Sequence, residues 1–421
     1  MAAATGAAAA PNPPADALAL RRVLLCSALV VTLSMGVRHG FGLFLQPVTL
    51  DRGWTREAFA FALAVQNLAW GLAGPLVGGV ADRFGAHRVL IAGAVCYAAG
   101  LAVMATATTP LGFLLGAGLL VGISQAGTTY AVAYGVIGRN VAPARRSWAM
   151  GVAASAGSFG QFAMVPVEGA LIGSIGWQSA LFVLAAMVTA IVPLAFFLRE
   201  PASVLRRPHA VGAEAPAGGP HGVGAAIREA FSSPSFRWLT AGYFVCGFQV
   251  VFIGVHLPSY LRDHGLPAHV ATTALMLIGL FNVVGTYLAG SLGGRIPKRT
   301  ILSAIYAARA LVILAFVTAP VTPWSVYAFA AAIGFLWLST VPPTNGIVAD
   351  IFGVRHLSML GGFVFLSHQV GSFLGAWLGG RLYDATGSYT VVWWIAIALG
   401  VFAALANLPI REQPLARPAV A

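Results

Sequence analysis

The stretch Gly78-Gly79-Val80-Ala81-Asp82-Arg83-Phe84-Gly85-Ala86-His87-Arg88 decides how this chain is read. Its first six residues return, loosely, as Gly290-Ser291-Leu292-Gly293-Gly294-Arg295. Other segments repeat in the same order. Tyr97-Ala98-Ala99 matches Tyr306-Ala307-Ala308, and Ala156-Gly157-Ser158-Phe159 matches Val370-Gly371-Ser372-Phe373. Asp51 and Gly53 match Asp263 and Gly265. Any one match is weak in so Gly- and Ala-rich a chain. In order, at a common spacing of roughly 210 residues, they describe two parallel copies of one unit.

Apolar runs lie on both sides of the stretch, at approximately 22–45, 57–80, 88–107, 111–137, 147–172, 178–198, 237–260, 269–292, 300–318, 323–348, 357–380 and 390–409. Each is close to the roughly 20 residues a helix needs to cross a bilayer. Arg21-Arg22 opens the first run, which reads as span 1 and not as a cleaved signal. The expected fold is an all-α membrane protein with about twelve transmembrane helices in two pseudo-symmetric six-helix bundles. The expected organisation is a disordered tail at 1–20, a first bundle over 21–199, a polar linker over 200–236, a second bundle over 237–410 and a tail at 411–421. The linker carries Arg206, Arg207 and a candidate amphipathic helix around Ala225–Phe231.

Composition agrees. Of 421 residues, 58% are hydrophobic and only 9% charged, against roughly 25% charged in soluble chains. So few charges cannot coat a water-facing surface of this size, so the outer surface faces lipid. The net charge of +12 suggests nucleic acid until its placement is read. Among the 24 Arg and Lys, eighteen fall in alternate loops, the linker and the tails, four fall on the other side, and Arg38 and Arg309 lie inside spans. This is the positive-inside pattern; it places both termini and the linker in the cytoplasm. Nucleic acid is not an expected partner. Cys26, Cys96 and Cys246 all sit in apolar runs, so neither a disulfide framework nor a metal site is expected. No GxxxxGK[ST], HExxH or GxSxG sequence is present, which argues against an ATP-driven pump and against an enzyme. No cofactor is implied.

The 78–88 stretch resembles the GxxxDRxGxxR signature of the major facilitator superfamily. The resemblance implies that Gly78, Asp82, Arg83, Gly85 and Arg88 form a conformational latch that holds the halves in the outward-facing state. A solvated charged turn is the plainer reading. Gly294 stands where a second Asp would, so the latch is expected on one side only.

Three further segments resemble the monocarboxylate transporter and oxalate–formate antiporter branch. They are Arg38-His39-Gly40-Phe41-Gly42-Leu43-Phe44, His256-Leu257-Pro258-Ser259-Tyr260-Leu261, and Tyr383-Asp384-Ala385-Thr386-Gly387-Ser388-Tyr389. The resemblance implies a secondary transporter of a small organic anion, a proton symporter of the inner membrane working as a monomer. One departure stands out. The Asp and Arg that such carriers commonly place one turn apart in span 8 are replaced here by Asn282 and Thr286.

Charges inside a membrane are functional candidates by default. Arg38 in span 1 reads as an anion anchor, or as a structural Arg bonded to helix carbonyls. Arg309 in span 9 is its rival for the substrate, although a structural role against span 8 or the inner loop fits a peripheral span better. Further substrate-binding candidates are Tyr130, Tyr134, Gln249, His256, Asn282 and Asn345. Proton-coupling candidates are His256, His368 and Glu168, with His256 expected to share the Arg38 cavity; for each His the alternative is a satisfied packing residue. Pro258 and Pro342-Pro343 are expected to mark kinks or unwound turns. Two other functions stay open: an efflux transporter of drugs or lipophilic solutes, and a transporter-like membrane sensor.

Overall fold

The computed structural model describes residues 18–205, 223–353 and 357–414, all of them in helices and short connections. Among these residues, eleven helical stretches are long and apolar enough to cross a membrane. One of them, Trp148–Phe197, runs to 50 residues and reverses at Gly176, where φ is +79°. Only glycine adopts that conformation without strain. The stretch therefore supplies two crossings, spans 5 and 6. With Leu20–Arg52, Arg56–Phe84, Ala86–Thr106 and Pro110–Asn140 as spans 1 to 4, the first half has six. Pro234–Asp263, Ala268–Leu292, Lys298–Thr318, Pro323–Phe352, Met359–Thr386 and Thr390–Asn407 are spans 7 to 12. The protein is a multi-pass membrane protein. Side chains such as Leu76, Tyr287 and Trp324 point outward, as a lipid-facing surface requires.

Local chemistry repeats between the halves. Spans 4 and 10 both open on Thr-Pro. Thr109 accepts from the Gly112 amide at 3.1 Å, and Thr322 and Ser325 close a capping box. Threonine satisfies an otherwise orphaned amide, and proline at the first helical position loses nothing by lacking one. The short helix Val223–Ser232 matches the one expected before span 7. Arg206, Arg207 and most of both tails lie outside the described residues.

Four spans are interrupted, span 6 by a short turn at Thr189-Ala190 and three others more centrally. Span 1 turns at Gly40 between Leu20–His39 and Phe41–Arg52. Span 4 breaks at Thr129, whose extended backbone separates Val121–Thr128 from Tyr130–Asn140. Span 10 unwinds between Leu336 and Val341, immediately before Pro342-Pro343. Broken backbone at membrane depth survives where protein or a cavity supplies its hydrogen bonds. Pro258 does not mark an unwound turn: the helix Pro234–Asp263 passes through it unbroken.

The halves meet most tightly at the face opposite the basic loops. Arg56 at the start of span 2 holds Asp263 of span 7 with both terminal nitrogens, at 2.6 and 2.7 Å. Its guanidinium lies 3.8 Å from the Tyr383 ring centre, and it donates to the Tyr389 hydroxyl at 2.9 Å. Glu57 accepts from Trp377 at 2.9 Å and from Arg381 at 3.1 Å. Asp384 accepts the backbone amides of both Arg56 and Glu57, at 3.2 and 2.7 Å. Below this seam the halves still touch at mid-depth, where Gln369 donates to the Asn67 carbonyl and Asn282 to Ser158. Toward the basic face, Gly74, Gly78 and Gly79 of span 2 have no neighbour within 4 Å of where a side chain would begin. The halves are tied together at one face, and toward the other this stretch of span 2 lies open.

The seam gives a first test. Arg56→Gln removes its one bidentate ion pair, and shifts of about 1–3 kcal/mol between conformations are typical of such couplings. With Cys26, Cys96 and Cys246 replaced, Val251→Cys is expected to react with an impermeant maleimide several-fold faster, from the closed face, when Arg56→Gln is added. Unchanged labelling would show that the seam does not hold that face shut.

Candidate functional site

Arg38 lies two residues before the turn in span 1. Its Nη2 donates to Asn67 Oδ1, and its guanidinium lies over the Trp70 indole at 4.9 Å. Asn67 is pre-oriented, because its own amide donates to the Leu63 carbonyl at 2.7 Å and turns Oδ1 toward Arg38. Arg38 Nε has no hydrogen-bond partner. Among the described residues no carboxylate lies within ion-pair distance of it. A small cavity runs along this face, lined by Arg38, His39, Asn67, Gln161 and Trp337, with apolar residues of span 7 opposite. His39 is committed to its own helix, with Nδ1 at 2.6 Å from the Met35 carbonyl.

Glu168 in span 5 is completely buried, and neither carboxyl oxygen has a hydrogen-bond partner. It fills the notch left by the missing side chain of Gly40, so it sits against the turn in span 1 that presents Arg38. An enclosed carboxyl without a partner is rare, because burial of a polar group is costly unless it is paired.

His256 is placed differently from expectation. It does not line the Arg38 cavity. It is buried in the second half, where Nε2 donates to the Ala376 carbonyl at 2.8 Å. That fixes Nδ1 as the acceptor of the Tyr389 hydroxyl at 3.2 Å. Span 7 simply turns this residue toward spans 11 and 12 and not toward span 1. Since Tyr389 also receives Arg56, His256 belongs to the seam.

The other candidates divide. Tyr130 and Tyr134, just past the break in span 4, stack at 5.8 Å and are partly exposed. Asn345 is exposed on the part of span 10 beyond its break. His368 packs against Phe365 and Tyr243, with ring centres 5.8 and 5.1 Å away, and its Nδ1 lies 3.1 Å from Gln369 Oε1. Gln249 is spent on the Ala396 carbonyl at 2.9 Å. Asn282 is spent on repair: its oxygen accepts the Leu338 amide at the break in span 10 (2.9 Å) and the Thr286 hydroxyl, and its amide reaches Ser158.

Arg309 is buried, and its contacts explain why. It donates to the Leu336 carbonyl through Nε (3.1 Å) and Nη2 (2.7 Å), to the Trp337 carbonyl, and to Gln249 at 3.4 Å. It caps the broken end of span 10, so its role is against spans 10 and 7 and not against span 8 or the inner loop. The end of a helix carries partial negative charge and orphaned carbonyls, both suited to a guanidinium.

At the basic face, Asp82 accepts from Arg139 at 2.5 Å, and Arg139 forks onto Glu200 with two bonds of 2.8 Å. Gly85 takes φ +92° between spans 2 and 3, while Arg83 and Arg88 are exposed and Gly78 faces open space. Gly294 brings no acid to the equivalent loop, but the second half has an ion pair of its own at this face. Lys298 pairs with Asp350 at 2.6 Å at the same level of the second half. The acid has moved from the span 2 end to the span 10 end and the base has moved the other way, so searching for a second Asp at Gly294 missed it. Arg139, Glu200, Arg56 and Trp70 were also missed. Their partners are distant in sequence, and only the repeat, which sets Arg139 opposite Asp350, offered a clue.

Two duplicated six-helix bundles around a mid-depth cavity define a membrane transporter, not an enzyme. Residues 24–353 match the family described as Major Facilitator Superfamily, and the chain belongs to it. It is 25% identical over 404 residues to monocarboxylate transporter 13 of Bos taurus, covering 94% of this chain and 91% of that one. It is 28% identical over 392 residues to monocarboxylate transporter 11 of Mus musculus, covering 87% and 82%. It is 24% identical over 400 residues to the oxalate:formate antiporter of Oxalobacter formigenes, covering 93% and 91%. The fold is similar to that of a bacterial homologue of the human lysosomal transporter Spinster, solved inward-facing and unoccupied (TM-score 0.71, 18% identity, 95% of this chain and 99% of that one).

Proposed function

We propose that this protein is a proton-coupled secondary transporter of a small organic monoanion, working by alternating access. The observation that carries the reading is Arg38: a cation at a helix turn, at membrane depth, facing a cavity, with an unused donor and no acidic partner among the described residues. A carboxylate is the ligand that completes it through charge-assisted hydrogen bonds. Relatives named as monocarboxylate transporters and an oxalate:formate antiporter support the class. A lipophilic solute would also suit an aromatic cavity, but the charge facing this cavity is Arg38, while Glu168 is enclosed behind it.

The basic face lies in the cytoplasm by the positive-inside rule, with both termini on that side of the inner membrane. The closed seam then faces outward and the protein is inward-open. The clusters Asp82–Arg139–Glu200 and Lys298–Asp350 stiffen the inner ends of the halves, and the bare Gly78–Gly79 face of span 2 is where they dock when the cycle reverses. The coupled proton resides on Glu168. A group so enclosed exchanges its proton only when the turn at Gly40 moves, and that requirement ties proton transfer to the conformation presenting Arg38.

Proteoliposomes test this. Uptake of a labelled monocarboxylate is expected to rise with an inward proton gradient. Glu168→Gln is expected to lose the response to the gradient while keeping exchange of labelled for unlabelled anion. Gradient-driven uptake that survives in Glu168→Gln would remove Glu168 from the role. Preference for organic cations over carboxylates would overturn the function.

A further inference from the structure

On the Trp70 side of Arg38 lies a set of rings contributed by both halves. Trp70 of span 2 meets Phe365 of span 11 edge-on at 5.4 Å. Phe365 stacks on His368, and His368 meets Tyr243 of span 7. Tyr130 joins the same apolar cluster as Trp70 and Phe365 and carries Tyr134 beside it. The tyrosine pair belongs to span 4 below its break, the Trp to span 2, and the rest to spans 7 and 11. Four spans therefore bring rings together beside the guanidinium lying on Trp70.

Two features argue that this is a binding surface and not packing alone. Trp70 and Phe365 belong to different halves and meet across their boundary, where Phe365 stays partly exposed. And Tyr130 and Tyr134, at membrane depth just past the break in span 4, stay partly exposed.

We infer that the transported anion is an aryl-substituted monocarboxylate, its carboxylate on Arg38 and its ring among Trp70, Tyr130 and Phe365. This rests on the reading of Arg38 as the anion anchor. Charge count limits the ligand to one carboxylate. The other intramembrane cation, Arg309, is consumed by the Leu336 and Trp337 carbonyls, so a second carboxylate would be buried unpaired. Ring chemistry does the rest. Offset and edge-on contacts reward a flat π-system over a saturated ring of similar size.

The test is a calorimetric ranking on the purified full-length protein with phenylacetate, cyclohexylacetate, acetate, pyruvate and phenylsuccinate. Phenylacetate is expected to bind about tenfold more tightly than acetate or pyruvate, and several-fold more tightly than cyclohexylacetate. Phenylsuccinate is expected to bind worse than phenylacetate. Phe365→Leu, which does not touch Arg38, is expected to erase most of the advantage of phenylacetate over acetate, whereas Trp70→Leu is expected to weaken both because Trp70 also backs the guanidinium; a Phe365→Leu variant that keeps the full advantage would overturn the placement of the ring. If acetate and pyruvate bind but phenylacetate gains nothing over them or over cyclohexylacetate, the aryl preference is overturned and the monoanion reading stands. If phenylsuccinate binds best, the single-carboxylate argument is wrong. If no carboxylate binds, both readings fall together.

Discussion

Arg38→Gln binds monocarboxylates about a hundredfold more weakly than the unmutated protein and melts at nearly the same temperature. The magnitude follows from what is lost. Hydrogen bonds to a charged group contribute about 1.5–3 kcal/mol each, and a guanidinium offers two in parallel to a carboxylate. The unchanged melting follows from how little Arg38 gives to the fold: one hydrogen bond to Asn67 and a face against Trp70. Arg38→Lys should recover only part of the affinity, since an ammonium cannot lie flat on an indole or present a fork. Calorimetric titration and a melting curve in detergent check both halves of the expectation. Wild-type affinity in Arg38→Gln would remove the anchor.

Arg309→Gln is expected to do the reverse. It unfolds the protein at markedly lower temperature. The Leu336 and Trp337 carbonyls lose their donor in a site that water does not reach, and Gln249 loses its partner. Removing one partner from a buried charged network costs about 3–5 kcal/mol. Any loss of transport should track the loss of folded protein. A variant that melts normally but no longer binds anion would place the anchor on span 9 and exchange the roles of the two arginines.

The two arginines also show how far the sequence could be read. Span number, duplication and the unwound turn at Pro342-Pro343 follow from hydropathy and from the chemistry of proline, which are local properties. The Gly176 reversal was legible as a gap between runs at 172 and 178. What each intramembrane polar residue does was not legible, because it depends on which way a helix is rotated. His256 and Arg38 lie on the corresponding spans 7 and 1, yet one turns to Ala376 and Tyr389 and the other to Asn67 and Trp70. Asn282, at the place where relatives of the branch would carry an acid, turned out to hold the loose amide of Leu338. Breaks in helices create such needs, and the sequence marks a break far better than it marks the side chain that mends it.

Asp384 has an effect that reaches beyond the seam it closes. The first turn of span 2 has its leading amides satisfied by two carriers. Thr55, from the same half, takes that of Ala58, while Asp384, from the other half, takes those of Arg56 and Glu57. A helix that borrows its cap from a moving neighbour is complete in one conformation and frayed in the other. Each opening therefore bares two main-chain N–H groups to water at a known place. In deuterated solvent those two amides act as a clock, exchanging at the frequency with which the outer face opens.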